Sequence, residues 1–282
     1  MTDSRARRLW KTLEPFHAIT YFAPETRQAT DALGLKGGWM SYFGCRAAPL
    51  GAASPELVAA LFYNFHPAMV ARSIPDAWER ATPAQLLEAR LAAVDTAVRR
   101  LFPSDPPFER AAEVARRAAD VAPVAGRALG AANAALPWPD EPHLVLWQAT
   151  TILRESRGDG HVAALVAAEL SPCQALVTAS AAGGPTKETF DVARRWSAEE
   201  WAAASDDLRS RGLLSADGAL TDSGRALRQQ VEDMTDALAE TGWRALGDEL
   251  TAELHDLVHP LSAVLMSGAL LPPDNPMGLR WS

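Results

Sequence analysis

Residues 196–238, WSAEEWAAASDDLRSRGLLSADGALTDSGRALRQQVEDMTDAL, decide the fold. Between Ser197 and Arg211 the apolar positions Trp201, Ala204 and Leu208 recur at helical spacing, with Trp196 just ahead of them. Arg211-Gly212-Leu213-Leu214 closes that helix, Asp217-Gly218 reads as a tight hairpin turn, and Leu220-Thr221 leads into a long polar helix. The same region is acidic: residues 186–282 carry 17 Asp+Glu against 9 Lys+Arg, while the rest of the chain is balanced at 18 and 18. The whole net charge of −8 therefore falls here. Counterions are released from DNA only where cations meet phosphates, so this half is expected to be repelled by it. The hairpin segment Ser215-Ala216-Asp217-Gly218-Ala219 carries no cation at all.

Upstream of this stretch, prolines and glycines cut the chain into helical blocks. A first helix over Ser4–Leu13 is stopped by Pro15, and a long one over Ala84–Leu101 carries the apolar stripe Leu86, Leu87, Leu91, Val94 and Val98. His143–Arg154, Val162–Leu170 and Pro172–Ala182 read as three successive helices before the Gly183-Gly184-Pro185 loop. Helix, short helix, recognition helix and wing is the helix-turn-helix order. The expected fold is mostly α: an N-terminal helical domain, residues 1–137, packed on a winged-helix-like C-terminal domain, residues 142–282, with one small β-hairpin. The boundary is the proline-rich stretch Pro137 to Pro142.

No run approaches the ~18 apolar residues of a membrane span. The basic start has no apolar stretch after it, and Cys45 and Cys173 are isolated, which suits a reducing compartment. A soluble, cytoplasmic protein is expected, with no membrane partner.

Four segments carry a resemblance: 14-EPFHAITYFAPE-25, 46-RAAPLG-51, 154-RESRGDGH-161, and Gly212-Leu213-Leu214 through Leu220-Thr221. Together they resemble an actinobacterial family of MarR-like helix-turn-helix (winged-helix) proteins, over nearly the full chain. The resemblance implies a fold rather than an activity. In that family the third segment usually has a histidine where Ser156 stands, so a metal site built on that histidine would be missing here.

Two constellations carry chemistry. Eleven of the 20 aromatics precede Glu79, which points to an aromatic-lined pocket around Tyr21, Trp39, Tyr42, Phe43 and Phe62, with His17 and His66 among them. The same residues read equally as an aromatic core. The string Arg154 to His161 sets two arginines, two carboxylates and a histidine between two apolar helices. Gly158 and Gly160 permit a turn there, Asp159 is placed to cap the next helix, and Arg154 and Arg157 could receive a carboxylate or phosphate. Its plainer reading is a capped interhelical turn with solvated charges. His17 and His161 are the candidate acid–base residues; Tyr21, Trp39, Tyr42, Phe43, Phe62, His66, Arg154 and Arg157 are the candidate ligand-binding residues. His255 and His259 are spaced for zinc, but Pro260 follows at once, and no metal site is assigned.

The expected function is binding of a small organic molecule, with enzymatic action on an organic metabolite as one version of it. The alternative is a ligand-responsive MarR-like transcriptional regulator. DNA is not expected as a partner, a homodimer is, and the sequence names no cofactor. His17 and His66 are expected to share one cavity with Arg154, Arg157 or His161.

Overall fold

The computed structural model describes residues 4–104, 106–272 and 275–279. In chain order the α-helices are α1 (Arg5–His17), α2 (Ile19–Phe22), α3 (Pro24–Ala32), α4 (Gly37–Ala47), α5 (Pro55–Phe62), α6 (Pro67–Ala71), α7 (Asp76–Arg80), α8 (Pro83–Leu101), α9 (Phe108–Asp120), α10 (Ala128–Ala134), α11 (Pro142–Ala167), α12 (Pro172–Ala181), α13 (Lys187–Arg194), α14 (Ala198–Ser210) and α15 (Asp222–Val264). Their starts follow from sequence. Reciprocal capping boxes open α8 (Thr82 with Gln85), α12 (Ser171 with Gln174) and α14 (Ser197 with Glu200). Proline sits in the first turn of α3, α5, α8, α11 and α12, where its missing N–H has no intrahelical partner to lose.

Helix α11 is the axis of the structure, packing against α1, α9, α10 and α15. Alanines and glycines let these helices approach closely. A Cβ on Gly130 of α10 would lie 2.9 Å from the Ser156 Cα, so only glycine fits that crossing. One apolar core, with Phe16, Trp147, Ile152 and Leu254, draws on α1, α8, α9, α11 and α15. A second, built on Phe43, Phe62 and Phe65, fills the space among α4 to α8. A third gathers Leu165, Leu170, Val177, Leu208, Leu214 and Val231 from the end of α11, α12, α14 and the start of α15.

Three expectations need correcting. Helix α1 does not stop before Pro15 but runs to His17, with Pro15 buried in its last turn. The string Arg154 to His161 is no interhelical turn; it lies inside the continuous α11. Its charges look like loop chemistry because their partners are remote: Arg46 reaches Glu155, and the Gly130 N–H reaches Asp159 at 2.9 Å. With those groups satisfied by other elements, the backbone has no reason to leave the helix. Finally, no strand or sheet forms among the described residues. The expected hairpin shrinks to a single antiparallel bridge, Leu214 to Leu220, with Ser215 N–H donating to the Ala219 carbonyl and Thr221 N–H to that of Leu213. The first turn of α15 lies so close that a Cβ on Gly224 would collide with the Leu213 carbonyl, which ends the ladder after one bridge. No single helix among the described residues is long and apolar enough to cross a membrane.

Candidate functional site

Helix α13, the turn Arg195-Trp196-Ser197 with Arg195 left-handed (φ 65°), and α14 follow one another as helix, turn and helix, and both helices pack on α12. This unit shares the third core with the end of α11 and the start of α15, and reaches the aromatic half of the molecule through a few directed bonds. His66 N–H donates to the Arg194 carbonyl (3.0 Å), Trp196 Nε1 to Asn64 O (2.9 Å) and the Tyr63 hydroxyl to Leu170 O (2.6 Å). His66 Nδ1 accepts from Ala68 N–H, which leaves Nε2–H to donate to Glu200 on α14 at 3.0 Å.

Between the two parts runs a cleft with two compartments. The aromatic one, about 330 Å³, is lined by Tyr21, Phe22, Trp39, Tyr42 and Phe65, with Arg154 and Arg194 at its inner end. The polar one, about 270 Å³, is lined by Trp10, Glu14, Arg157, His161, Arg228 and Glu232 among others. Arg154, Arg194, Pro276 and Met277 belong to both, so the compartments meet there.

A buried ion network backs the bundle wall. Arg46 on α4 binds Glu155 through two parallel bonds, Nε to Oε1 at 2.8 Å and Nη2 to Oε2 at 2.9 Å, while its guanidinium lies 4.1 Å over Phe62. Arg154 Nη1 donates to the same carboxylate at 2.8 Å and its Nε to Glu14 at 3.3 Å, and Trp10 Nε1 donates to Glu14 at 2.9 Å. Burial pushes the Glu155 pKa up, but Arg154 and Arg46 outweigh it and hold the carboxyl well below its usual range. Such bidentate, desolvated pairing fixes geometry firmly.

The two candidate acid–base histidines share one arrangement. Thr151 donates its hydroxyl to the Trp147 carbonyl (2.8 Å), so its oxygen accepts from His17 Nδ1–H at 3.0 Å. Thr235 likewise donates to Val231 O (2.7 Å) and accepts from His161 Nδ1–H at 2.9 Å. Each imidazole is thereby set with its lone pair on Nε2. Burial, aided by Arg154, holds the His17 pKa well below its ordinary value; burial also pulls His161 down to about 4, with Arg157 adding to it and Glu232 opposing. Both rings are neutral at physiological pH. Asp159 goes the other way: burial raises it to about 6 although the Gly130 N–H favours its charge.

Of the residues singled out in the sequence, Tyr21, Trp39, Tyr42, Arg154, Arg157 and His161 line the cleft. Phe43 and Phe62 lie behind it in the aromatic core, and His17 is fully buried, 5.2 Å ring to ring from Tyr21. His66 serves as the clasp to α14. The expected sharing of a cavity between His17, His66 and the Arg154 to His161 string is therefore not the arrangement found, because both histidines are tied up outside the cleft. Sequence reasoning missed Arg46, Glu14, Trp10 and Arg194. Arg46 had a signal, being the lone charge in the otherwise uncharged helix α4. His255 and His259 stack at 5.2 Å on α15, which continues through Pro260.

A family model described as a helix-turn-helix family matches residues 6–272. Neither a curated protein nor a solved structure matches the chain. The match corrects the expectation drawn from charge. A helix-turn-helix family suggests a DNA-binding regulator, so DNA stands as the expected partner despite the acidic balance of residues 186–282. Net charge over this segment is a poor guide because several of its acids pair with cations outside it: Glu240 and Asp248 with Arg5, Asp236 with Arg7 and Arg157, and Glu253 with Arg110.

Proposed function

The chain belongs to this helix-turn-helix family, and from that premise we propose that it is a ligand-responsive transcriptional regulator of MarR-like, winged-helix type, from an actinobacterial branch. Helix α14 is the DNA-reading helix and the bridged turn after it is a reduced wing. Arg195, Arg209, Arg211 and Arg225 are the exposed cations of this unit; Arg209, Arg211 and Arg225 sit in surface pairs with Asp206, Asp207 and Asp222, which phosphates would have to displace. The division of labour falls near Pro137 to Pro142: residues 1–137 supply the aromatic receptor wall, and residues 142–282 supply the arginines of α11 and the DNA-reading unit.

One observation carries the ligand-responsive part. The cleft has the aromatic wall on one side and residues of the helix-turn-helix unit, Phe190 and Arg194 of α13 with Ala175, Leu176 and Ala179 of α12, on the other. A small organic molecule seated there touches both, so its binding has differential contact with different placements of α13 and α14. Pull-down of genomic fragments by the full chain, followed by anisotropy titration at low salt, tests the DNA arm. Enrichment of a defined fragment whose affinity falls several-fold in Arg209→Ala is expected; uniform recovery of all fragments would sink the reading.

A second reading, an enzyme acting on an organic metabolite, has one supporting observation. His161 presents a neutral imidazole to the polar compartment with its basic nitrogen unprotonated. His161→Ala would then abolish turnover while sparing affinity, whereas a receptor would lose affinity or nothing.

A further inference from the structure

We propose that Arg194 is the anion-reading residue of the cleft. The cleft would take an organic anion with a flat unsaturated ring system, its rings against Trp39 and Tyr42 and its acidic group between Arg154 and Arg194. This rests on the cleft being an effector site.

The argument starts from a charge surplus. Arg154 and Arg194 line both compartments and Arg46 and Arg90 are buried behind the bundle wall, against two carboxylates there, Glu14 and Glu155. Glu155 is consumed by Arg46 and Arg154, and Glu14 by Arg154 and Trp10. Arg90 is settled on the Cys45 carbonyl and the Asn133 side chain, at 3.0 and 3.2 Å. Arg194 is not settled in this way. Its Nη1 donates to the adjacent Ala193 carbonyl, its buried Nε has no partner, and among the described residues no carboxylate lies within ion-pair distance. Burial pulls its pKa down to about 10; Tyr42 opposes this, and Arg46 and Arg154 push further down. A half-buried cation with an unpartnered Nε, lining the same cleft as Arg154, calls for an anion that brings its own charge.

The rest of the site sets the shape. Arg194 stacks 4.3 Å over Phe65, continuing an aromatic surface in which Trp39 and Tyr42 lie 5.8 Å apart. A space of about 330 Å³ suits a drug-sized molecule rather than a bare inorganic ion. The Tyr42 hydroxyl accepts from Arg46 Nη1 at 3.0 Å, so its proton remains free to meet an acceptor. Arg194 also ends α13, and its carbonyl is the one held by His66 N–H, so an anion on its guanidinium acts directly at the joint of the DNA-reading unit.

Anilinonaphthalene sulfonate, a flat aromatic anion, and its neutral counterpart N-phenylnaphthylamine provide the test, titrated by fluorescence into the full chain. The native chain should prefer the sulfonate by about tenfold, Arg194→Gln should erase that preference with neutral binding within about twofold, and Trp39→Leu should weaken both probes. Displacement of the sulfonate from the native chain by naphthoate, against naphthalenemethanol of the same size, repeats the comparison without any variant; naphthoate should again win by about tenfold. Equal affinities for charged and neutral probes, or a preference that survives Arg194→Gln, overturns the proposal while leaving the cleft as a receptor. Absence of binding by either probe, or binding indifferent to Trp39→Leu, removes the effector-site reading as well.

Discussion

Arg154 and Arg194 look into one cleft from opposite walls, and their surroundings differ in kind. Arg154 belongs to α11, the most enclosed helix, and is locked between Glu155 and Glu14. Arg194 ends a short helix of eight residues, has an aromatic ring beneath it, and is tethered mainly through its own backbone carbonyl. The bundle wall is thus pre-formed, its buried charges compensated by partners up to 140 positions apart. The other wall packs on the third apolar core and reaches the aromatic half of the molecule through a few hydrogen bonds around residues 63–66. The proposed effector role draws on this asymmetry, because a ligand shifts only what has a second placement of similar energy. The wall with fewer restraints is the one that carries α14.

The largest effect is expected on the locked wall. Glu155→Gln removes the carboxylate shared by Arg46 and Arg154, leaving buried Arg46 without a carboxylate partner among the described residues and Arg154 with Glu14 alone. A loss of about 3–5 kcal/mol is expected in urea denaturation. Arg194→Gln should change stability by less than about 1 kcal/mol, since no ion pair is broken and a desolvated charge is removed. Equal losses in the two variants would erase the distinction between the walls.

The histidine in the polar compartment gives a pH-dependent measure of the same contrast. The folded-state pKa of His161, about 4, lies below its ordinary 6.5, so the unfolded chain binds the proton first on acidification. Stability from this residue is complete above about pH 6.5 and is lost as pH falls toward 4, by roughly 2–3 kcal/mol. Asp159 has the opposite sign, because a carboxyl raised to about 6 favours the folded state at low pH and stops doing so as pH rises through 6. Stability curves in His161→Gln should therefore lose their fall between pH 6.5 and 4. A curve unchanged from that of the native chain would mean that the Thr235 clamp does not hold the imidazole neutral.

The clasp offers a smaller perturbation. Trp196→Phe removes the bond from Nε1 to the Asn64 carbonyl while keeping a ring against His66, at an expected cost of about 1 kcal/mol. Hydrogen exchange should rise in α13 and α14 and stay unchanged in α11. Acceleration in both regions alike would show that the two walls open together.

The sequence exposed these relations unevenly. Helix starts were legible because capping is local: Thr82 with Gln85 and Ser197 with Glu200 act over three residues. The helix-turn-helix order was legible for the same reason. What misled was the string Arg154 to His161, where two glycines and four charges imitate a loop. Its neutralising partner Arg46 is 109 positions away, and no local pattern encodes that pairing. The Asp217-Gly218 pair correctly marked a turn but could not report that α15 would press on it and end the ladder. Tyr21, Trp39 and Tyr42 could be placed near a cavity from composition alone, whereas their neighbours Phe43 and Phe62 differ only in which side of α4 and α5 they occupy.

The two glycines of that string separate packing from function, and they make the finest test of the contrast. Gly160 faces the protein interior: a Cβ there would sit 3.2 Å from the Arg127 guanidinium carbon, so Gly160→Ala must displace a buried arginine that also donates to Leu238 O. Gly158 faces the polar compartment, and a Cβ would meet nothing nearer than Glu155 Oε2 at 3.8 Å. Both have helical backbone, in which alanine is favoured over glycine by about 0.5–1 kcal/mol when space allows. Gly158→Ala is therefore expected to stabilise the chain by roughly that amount while narrowing the cleft, and Gly160→Ala to gain nothing or to lose stability. Thermal midpoints of the two variants decide this, and probe titrations on Gly158→Ala show whether the space it fills is space the ligand uses. A stabilised Gly158→Ala with undiminished binding would confine the ligand to the aromatic compartment, against Arg194 and away from Arg157 and His161.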